Sequence, residues 1–271
     1  GGGHVGAALV VLVAERRSEV GRRRGLDLEV TRIAVRNTAI DRDVPVADGA
    51  FTTDAAAVVC APDVDVVVEV MGGVEPAREL VSAALSAGKP VVTANKELLA
   101  NHGAELYALA ATNGVDLLFE AAVAGGIPII KALRESMAGN EVTEVAGIIN
   151  GTGNFILTEM STKGRAFEDV LSEAQELGYA EAAPTFDIDG TDAAHKLVIL
   201  ASLAFGIPLS IDAPMKQGIQ EVAPEDLEYA ASMGYRVKHL GIARQTDQGL
   251  SLIHISEPTR PERIAFAVFC V

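Results

Sequence analysis

The chain has 271 residues, 49% of them hydrophobic, and a formal charge of −15. That is enough apolar material for one large domain or two modest ones with cores of their own. The acidity argues against a nucleic-acid partner, no apolar run reaches membrane-spanning length free of charges, and Cys60 and Cys270 do not make a disulfide framework. No signal peptide opens the sequence, so the expectation is a cytoplasmic protein with no membrane partner.

Gly1, Gly3 and Gly6 open the chain with the spacing G-x-G-x-x-G, and residues 5–17 predict an apolar helix directly after them. The backbone N–H groups of its first turn, around Val5, can hold a pyrophosphate. The plain alternative is a Gly-rich chain end, and the strand expected ahead of such glycines is missing. Residues 28–37 read as a strand ending at Arg36 and Asn37, where an NAD-preferring site carries an acid for the ribose hydroxyls. Arg36 can instead pair with the 2′-phosphate of NADP, with NAD still possible; a merely solvated arginine is the other reading.

Residues 53–62 predict a short helix and residues 64–71 a near-continuous apolar strand of the kind buried on both faces. Gly72 and Gly73 follow it. Residues 76–89 predict a helix stopped by Gly88, residues 90–94 a strand, residues 96–114 a helix and residues 115–123 a strand. This alternation predicts an α/β, Rossmann-type, doubly wound parallel sheet with helices on both faces. Gly72, Gly73, Thr93, Asn95 and Lys96 then fall at the carboxyl ends of strands, where ligands bind in such sheets. A lysine at a helix start opposes the helix dipole, which favours a role for Lys96 over decoration.

The second half changes character at a boundary near Gly125–Gly126, giving domains at 1–125 and 126–249. Helices are predicted at 127–138, 154–164, 167–178, 193–205 and 224–234, and strands at 142–150 and 235–245. Long gaps between strands predict an α+β domain with a mostly antiparallel sheet. The turn INGTGNF, Asn150 to Phe155, ends a strand and starts a helix, so its amides, near Gly151 and Thr152, can bind an anion or serve as an ordinary turn.

From Ala174 to Lys196 the chain reads AQELGYAEAAPTFDIDGTDAAHK. Pro184 breaks any preceding helix, and Asp189 or Thr191 can cap the next one. Asp192 and Lys196 then share one helical face, beside a loop holding Glu181 and Asp187. An acid one turn before a lysine is by itself usually a solvated pair worth a few tenths of a kcal/mol. The surrounding pattern points further. It resembles the homoserine dehydrogenase signature, A-x3-G-aromatic, a short acidic loop, then P-x2-D-I-x-G-x-D-x3-K, at Ala174, Gly178, Tyr179, Pro184, Asp187, Ile188, Gly190, Asp192 and Lys196. One loop position departs, Ala183, where the family usually has Asp or a relative.

The resemblance runs through nearly all of residues 1–249 and implies interconversion of L-homoserine and L-aspartate 4-semialdehyde with NAD(P), on the route to threonine, methionine and isoleucine. It implies Lys196 as general acid and Lys96 polarising the carbonyl. A lysine does this best when burial or a neighbouring cation lowers its pKa. Glu181 and Asp192 hold the substrate ammonium and Asp187 orients the layer. Thr93 and Lys96 touch the nicotinamide half, and Gly151 and Thr152 lie near cofactor and substrate. FEAAVAGGIPII implies a monovalent cation, Na⁺, on the Glu120 carboxylate and the carbonyls of Val123, Gly125 and Ile127; from the residues alone that segment reads as a domain hinge. A homodimer through the second domain is implied. The central expectation is that the Lys196 ammonium serves the carbon that accepts hydride. Two alternatives stand beside it: another NAD(P)-dependent semialdehyde or amino-acid dehydrogenase, and an inactive fragment, because a sheet without an inner strand exposes apolar edges.

Residues 250–260, LSLIHISEPTR, resemble the translation of a sequencing-library adapter. The expectation is a non-native tail at 250–271, set aside from the fold; the alternative is a genuine Pro-containing loop and final strand.

Overall fold

The computed structural model describes residues 1–180, 184–208, 210, 212–247 and 249–259. The chain divides into two compact units, Gly1–Ala122 and Val123–Val271.

The first unit alternates helix and strand. Helix α1 (His4–Arg24) starts after Gly3 and ends on Gly25 at φ 69°, with Arg22, Arg23 and Arg24 in its last turn complementing the dipole. Strands β1 (Ile33–Ala34) and β2 (Phe51–Thr52) pair in parallel. Helix α2 (Ala55–Cys60) is capped by Asp54, whose carboxylate accepts from the Ala57 N–H. Strand β3 (Val67–Glu69), helix α3 (Ala77–Ser86), strand β4 (Val91–Thr93), helix α4 (Lys96–Asn113) and strand β5 (Leu117–Leu118) follow, with β3-β4-β5 a second parallel ladder. Leu85, Leu98, Leu99 and Leu106 bring α3 and α4 into the core with no exposed surface, each such side chain contributing roughly 1.5–3 kcal/mol by burial.

Several expected strands are shorter than read: 64–71 is strand only over Val67–Glu69, 90–94 over Val91–Thr93 and 142–150 over Glu144–Gly147. Residues 28–37 contribute only Ile33–Ala34 to a ladder, because their neighbour β2 is itself two residues long. The run 115–123 ends as strand at Leu118; Glu120–Val123 is a helical turn, α5, in which the Ala-rich sequence prefers helix to extension.

The ladder geometry leaves two edges facing away from their partners. The N–H groups of Ile33 and Val35 donate to Ala50 and Thr52 on the β2 side, so the intervening Ala34 peptide points the other way. Likewise Val67 N–H donates to Pro90 and Glu69 accepts from Ala94 on the β4 side, so Val68 points away from β4.

The second unit starts with α6 (Ile129–Lys131), which widens into a π-type turn over Ala132–Ser136. Strand β6 (Glu144–Gly147), helices α7 (Gly151–Lys163), α8 (Phe167–Glu176), α9 (Thr185–Ile188) and α10 (Thr191–Phe205), strand β7 (Met215–Lys216), helix α11 (Pro224–Ser232), and strands β8 (Arg236–Thr246) and β9 (Gly249–Thr259) complete it. The sheet order is β6-β8-β9-β7, antiparallel except for the β7–β9 pair. Ile156, Leu157 and Met160 of α7 pack with Val170, Ile188, Ile219, Leu227 and Val237 in one cluster. Helix α10 is buried along Leu197–Ala201, as an all-apolar stretch requires.

The segment set aside as a tail takes part in this sheet as far as Thr259: β9 pairs with β8 from Gly249↔Thr246 to Thr259↔Arg236. Its exclusion from the fold is corrected. Its β-branched and apolar residues, placed directly after β8, satisfy an antiparallel partner.

Candidate active site

The first unit builds a nucleotide-type half-site. A Cβ on Gly6 would lie 1.8 Å from the Gly1 carbonyl oxygen, and one on Gly1 would lie 2.9 Å from the Val70 oxygen; Gly3 has open space. Gly1 and Gly6 are therefore needed for close backbone packing, and Gly3 keeps the approach to the helix start clear. Helix α1 has neither a side-chain cap nor an acid in its first turn. Its terminal N–H groups are thus arranged for an external anion, which fits a dinucleotide phosphate. Val5, in that turn, is 63% exposed. Arg36 is exposed after β1. Arg42, which the sequence did not single out, fixes the loop beside it by donating to the carbonyls of Gly2, Asn37 and Ile40.

At the ends of β3 and β4 Glu69, Thr93 and Asn95 form a polar network with the backbone of the loop after β3. Glu69 is 4% exposed, and its carboxylate accepts from Thr93 Oγ1 at 2.6 Å, Met71 N–H at 2.7 Å and Gly72 N–H at 3.3 Å. Thr93 Oγ1 in turn accepts from Asn95 N–H at 3.0 Å, and the Asn95 side chain caps Leu98 N–H while donating to the Gly73 carbonyl at 2.7 Å. Gly72 and Gly73 sit at φ 78° and 74°, which their lack of a Cβ permits. Thr93 is 1% exposed, so its hydroxyl orders this loop from below. Lys96, half-buried, opens α4. Glu69 and Arg42 are the residues that sequence reasoning missed; both read as ordinary members of a strand and a charged loop.

The second unit gathers an acid–base cluster at the starts of α7 and α10. Lys196 Nζ lies 2.9 Å from Asp192 Oδ2 and donates to the Ile149 carbonyl at 3.0 Å. Asn150 is the node. Its Oδ1 accepts from Gly153 N–H at 2.7 Å, capping α7, and its Nδ2 donates to Asp187 Oδ1 at 3.0 Å and Asp192 Oδ2 at 3.1 Å. Asn150 and Asp192 are 3% and 7% exposed. Asp189 Oδ1 accepts from Thr191 N–H, and Gly190, at φ 86°, turns the chain into α10.

Asp192 turns Oδ2 to Lys196 and Asn150. Thr152 gives its hydroxyl to the Tyr179 carbonyl at 2.8 Å and is buried, while Gly151 is exposed at the helix start. Glu181 lies outside the described residues. A Cβ on Gly153 would meet His239 Nδ1 at 3.1 Å and Asn150 Oδ1 at 3.3 Å, so this glycine lets the node sit against β8. Burial pulls the His239 imidazole below its ordinary pKa, partly offset by its hydrogen bond to the Gln217 carbonyl. Since a carbonyl only accepts, Nε2 carries the proton. Asn154 binds the backbone of His239 in both directions and the Asn150 carbonyl, tying α7 to β8.

Of the residues assigned to a cation, Glu120 opens α5, Val123 closes it and is buried, and Gly125 and Ile127 are exposed. The set is oxygen-only, as a hard monovalent cation requires. The Ile127 carbonyl also accepts from Ile129 N–H.

A parallel-sheet unit with a glycine-lined, uncapped helix start, followed by an antiparallel-sheet unit with a carboxylate-held ammonium, defines the two-domain dinucleotide-binding class. Similarity to known proteins narrows this. Residues 1–120 match the model of the homoserine dehydrogenase NAD-binding domain, and residues 128–266 match that of homoserine dehydrogenase. The chain belongs to the homoserine dehydrogenase family. It is 54% identical over 250 residues to homoserine dehydrogenase of Pseudomonas aeruginosa, covering 92% of this chain and 57% of the relative, and 48% identical to that of Neisseria gonorrhoeae, with the same coverage. Among solved structures, homoserine dehydrogenase of Thiobacillus denitrificans is 51% identical with a TM-score of 0.91, over 98% of this chain and 62% of the other. A hyperthermophilic archaeal homoserine dehydrogenase in complex with NADPH is 29% identical with a TM-score of 0.77, over 96% and 80%. The chain spans little more than half the length of the curated relatives it matches. No helix among the described residues is long and apolar enough to cross a membrane.

Proposed function

We propose that the protein containing this chain interconverts L-homoserine and L-aspartate 4-semialdehyde, using NADP in preference to NAD. The observation that carries the reading is the Lys196–Asp192–Asn150–Asp187 network, an oriented ammonium inside a domain that matches the family. The bound dinucleotide supplies or accepts the hydride. In the reductive direction Lys196 delivers a proton to the nascent alkoxide oxygen, and in the oxidative direction it takes one from the hydroxyl. Asp192 and the Ile149 carbonyl aim the ammonium, and Asn150 fixes Asp192 against Asp187. Glu181 binds the substrate ammonium. Lys96 polarises the aldehyde. Arg36 takes the 2′-phosphate. Glu120 and the carbonyls of Val123, Gly125 and Ile127 would hold a sodium ion, whose part is to stiffen that turn. The exposed thiol of Cys60 suits a reducing, cytoplasmic compartment.

The test is consumption of NADPH with aspartate 4-semialdehyde, against NADH at equal concentration. Activity with kcat/KM higher for NADPH supports the reading; activity favouring NADH overturns the Arg36 assignment, and no activity in a longer form of the protein overturns the whole. A second reading, that the 271-residue chain is inactive alone, is favoured by the outward-facing edges of β1 and β3. Assaying both lengths side by side separates the two.

A further inference from the structure

Arg36 stands at the head of an exposed loop, residues 36–41, that leaves the carboxyl end of β1. A long side chain on a loose loop loses both rotamer and backbone freedom when it binds a ligand, which weakens the contact. This loop is held. The Asn37 side chain accepts from Ala39 N–H at 2.8 Å and closes a turn. Arg42, half-buried, then clamps that turn. Its Nη1 donates to the Asn37 carbonyl at 3.0 Å and the Ile40 carbonyl at 2.9 Å, while Nε donates to the Gly2 carbonyl at 3.2 Å. One planar group thus ties the loop that carries Arg36 to the glycine turn. The same guanidinium lies 5.5 Å from the centroid of the Phe51 ring on β2, within range of a cation–π contact.

The glycine turn makes room for the clamp. A Cβ on Gly2 would lie 2.6 Å from Val35 Cγ1 and 3.2 Å from Arg42 Nε. A side chain there would press the guanidinium off the carbonyl it bonds, although the G-x-G-x-x-G spacing itself leaves this place open to any residue. A surface arginine next to acids ordinarily forms a solvated ion pair. Asp41 and Asp43 flank Arg42 and are exposed, yet among the described residues no carboxylate pairs with it, and its bonds go to the backbone of two separate segments. That is the use of a rigid donor fork to fix a loop, not of a point charge.

We propose that Arg42 is a positioning residue for dinucleotide selectivity: it fixes the 36–41 loop against the glycine turn, so that Arg36 is aimed in advance at the 2′-phosphate of a dinucleotide whose pyrophosphate rests on the start of α1. This rests on the reading of Arg36 given above. A 2′-phosphate is an anion that gains from a guanidinium already in place, whereas a 2′-hydroxyl asks little of this loop. The effect of Arg42 therefore falls on NADPH and spares NADH.

The test measures NADPH and NADH dissociation constants by fluorescence titration, with urea unfolding alongside, in the longer form of the protein and in its Arg42→Gln, Arg42→Lys, Arg36→Gln and doubly glutamine-substituted variants. Arg42→Gln is expected to weaken NADPH about tenfold or more, with NADH within about threefold. Equal weakening of both dinucleotides would mark a merely structural clamp and overturn the proposal. Arg42→Lys should behave as Arg42→Gln does, because an ammonium lacks the fork that spans these carbonyls; recovery of NADPH affinity by lysine would reduce the role to charge and overturn it. The double variant should lose little beyond Arg36→Gln alone, since Arg42 acts through Arg36, and additive losses would contradict this. A selectivity unchanged in Arg42→Gln but collapsed in Arg36→Gln overturns this proposal alone. A selectivity unchanged in Arg36→Gln overturns the reading of Arg36 and the proposal with it.

Discussion

Removing the Asn150 side chain is the perturbation that reaches furthest into the acid–base cluster. Asn150→Ala deletes the cap on Gly153, worth about 1 kcal/mol, and two hydrogen bonds to carboxylates, each worth about 1.5 kcal/mol where the acceptor is charged. Water entering the site recovers part of that sum, so a loss of about 3 kcal/mol is expected. Asn150→Asp keeps the cap but sets a third carboxylate against Asp187 and Asp192. A carboxyl held among like charges has a raised folded-state pKa. The folded state then binds more protons than the unfolded state, so stability must rise as pH falls from neutral toward 5. The chain has no tryptophan, so urea unfolding is best followed by circular dichroism, at pH 7 and pH 5.5. Turnover should fall about 10- to 100-fold in either variant, because Asp192 loses its orientation, while the KM for the dinucleotide stays within about twofold. An Asn150→Ala protein with stability within about 0.5 kcal/mol of the parent and unaltered turnover would refute the reasoning.

Three other outcomes follow from the same geometry. Gly6→Ala should weaken NADPH binding by at least about tenfold and lower stability, since its Cβ would collide with the Gly1 carbonyl, while Gly3→Ala, whose Cβ meets no protein atom, should weaken NADPH binding with stability unchanged; NADPH fluorescence titration and urea unfolding read the two apart. Glu69→Gln should cost about 1–2 kcal/mol in urea unfolding, because the carboxylate accepts bonds from two backbone N–H groups and one hydroxyl and an amide nitrogen cannot; an unchanged midpoint would remove Glu69 from the network. His239 is neutral in the fold and more readily protonated once unfolded, so it contributes a loss of stability as pH falls through about 6.5. His239→Gln should flatten that part of the stability–pH curve, and an identical slope in the variant would contradict the assignment.

Much of this was legible in the sequence because it rests on local periodicity. The parallel alternation, the glycine turn before α1 and the pairing of Asp192 with Lys196 each follow from spacing within one or two elements. What was illegible depends on long-range meetings. Asn150 reads as the start of a Gly-rich turn, and nothing local reveals that its amide bonds residues 37 and 42 positions away. Glu69 sits in an apolar run and reads as strand, while its carboxylate works from inside the fold. The bond from the Thr93 hydroxyl to Glu69 likewise joins residues of two different strands. The strand lengths were overestimated where a short neighbour ends the ladder. The β9 segment shows the converse. Residues set aside for resembling an adapter still form a strand, because any alternating apolar sequence after β8 can pair with it; the gene's own reads decide their origin.

Replacing Lys196 by alanine tests the central claim most directly, in a catalytically active form of the protein, with turnover and the NADPH dissociation constant measured on one sample. The account expects turnover to fall by about a thousandfold or more with NADPH affinity within about twofold. Turnover within tenfold of the parent would contradict it.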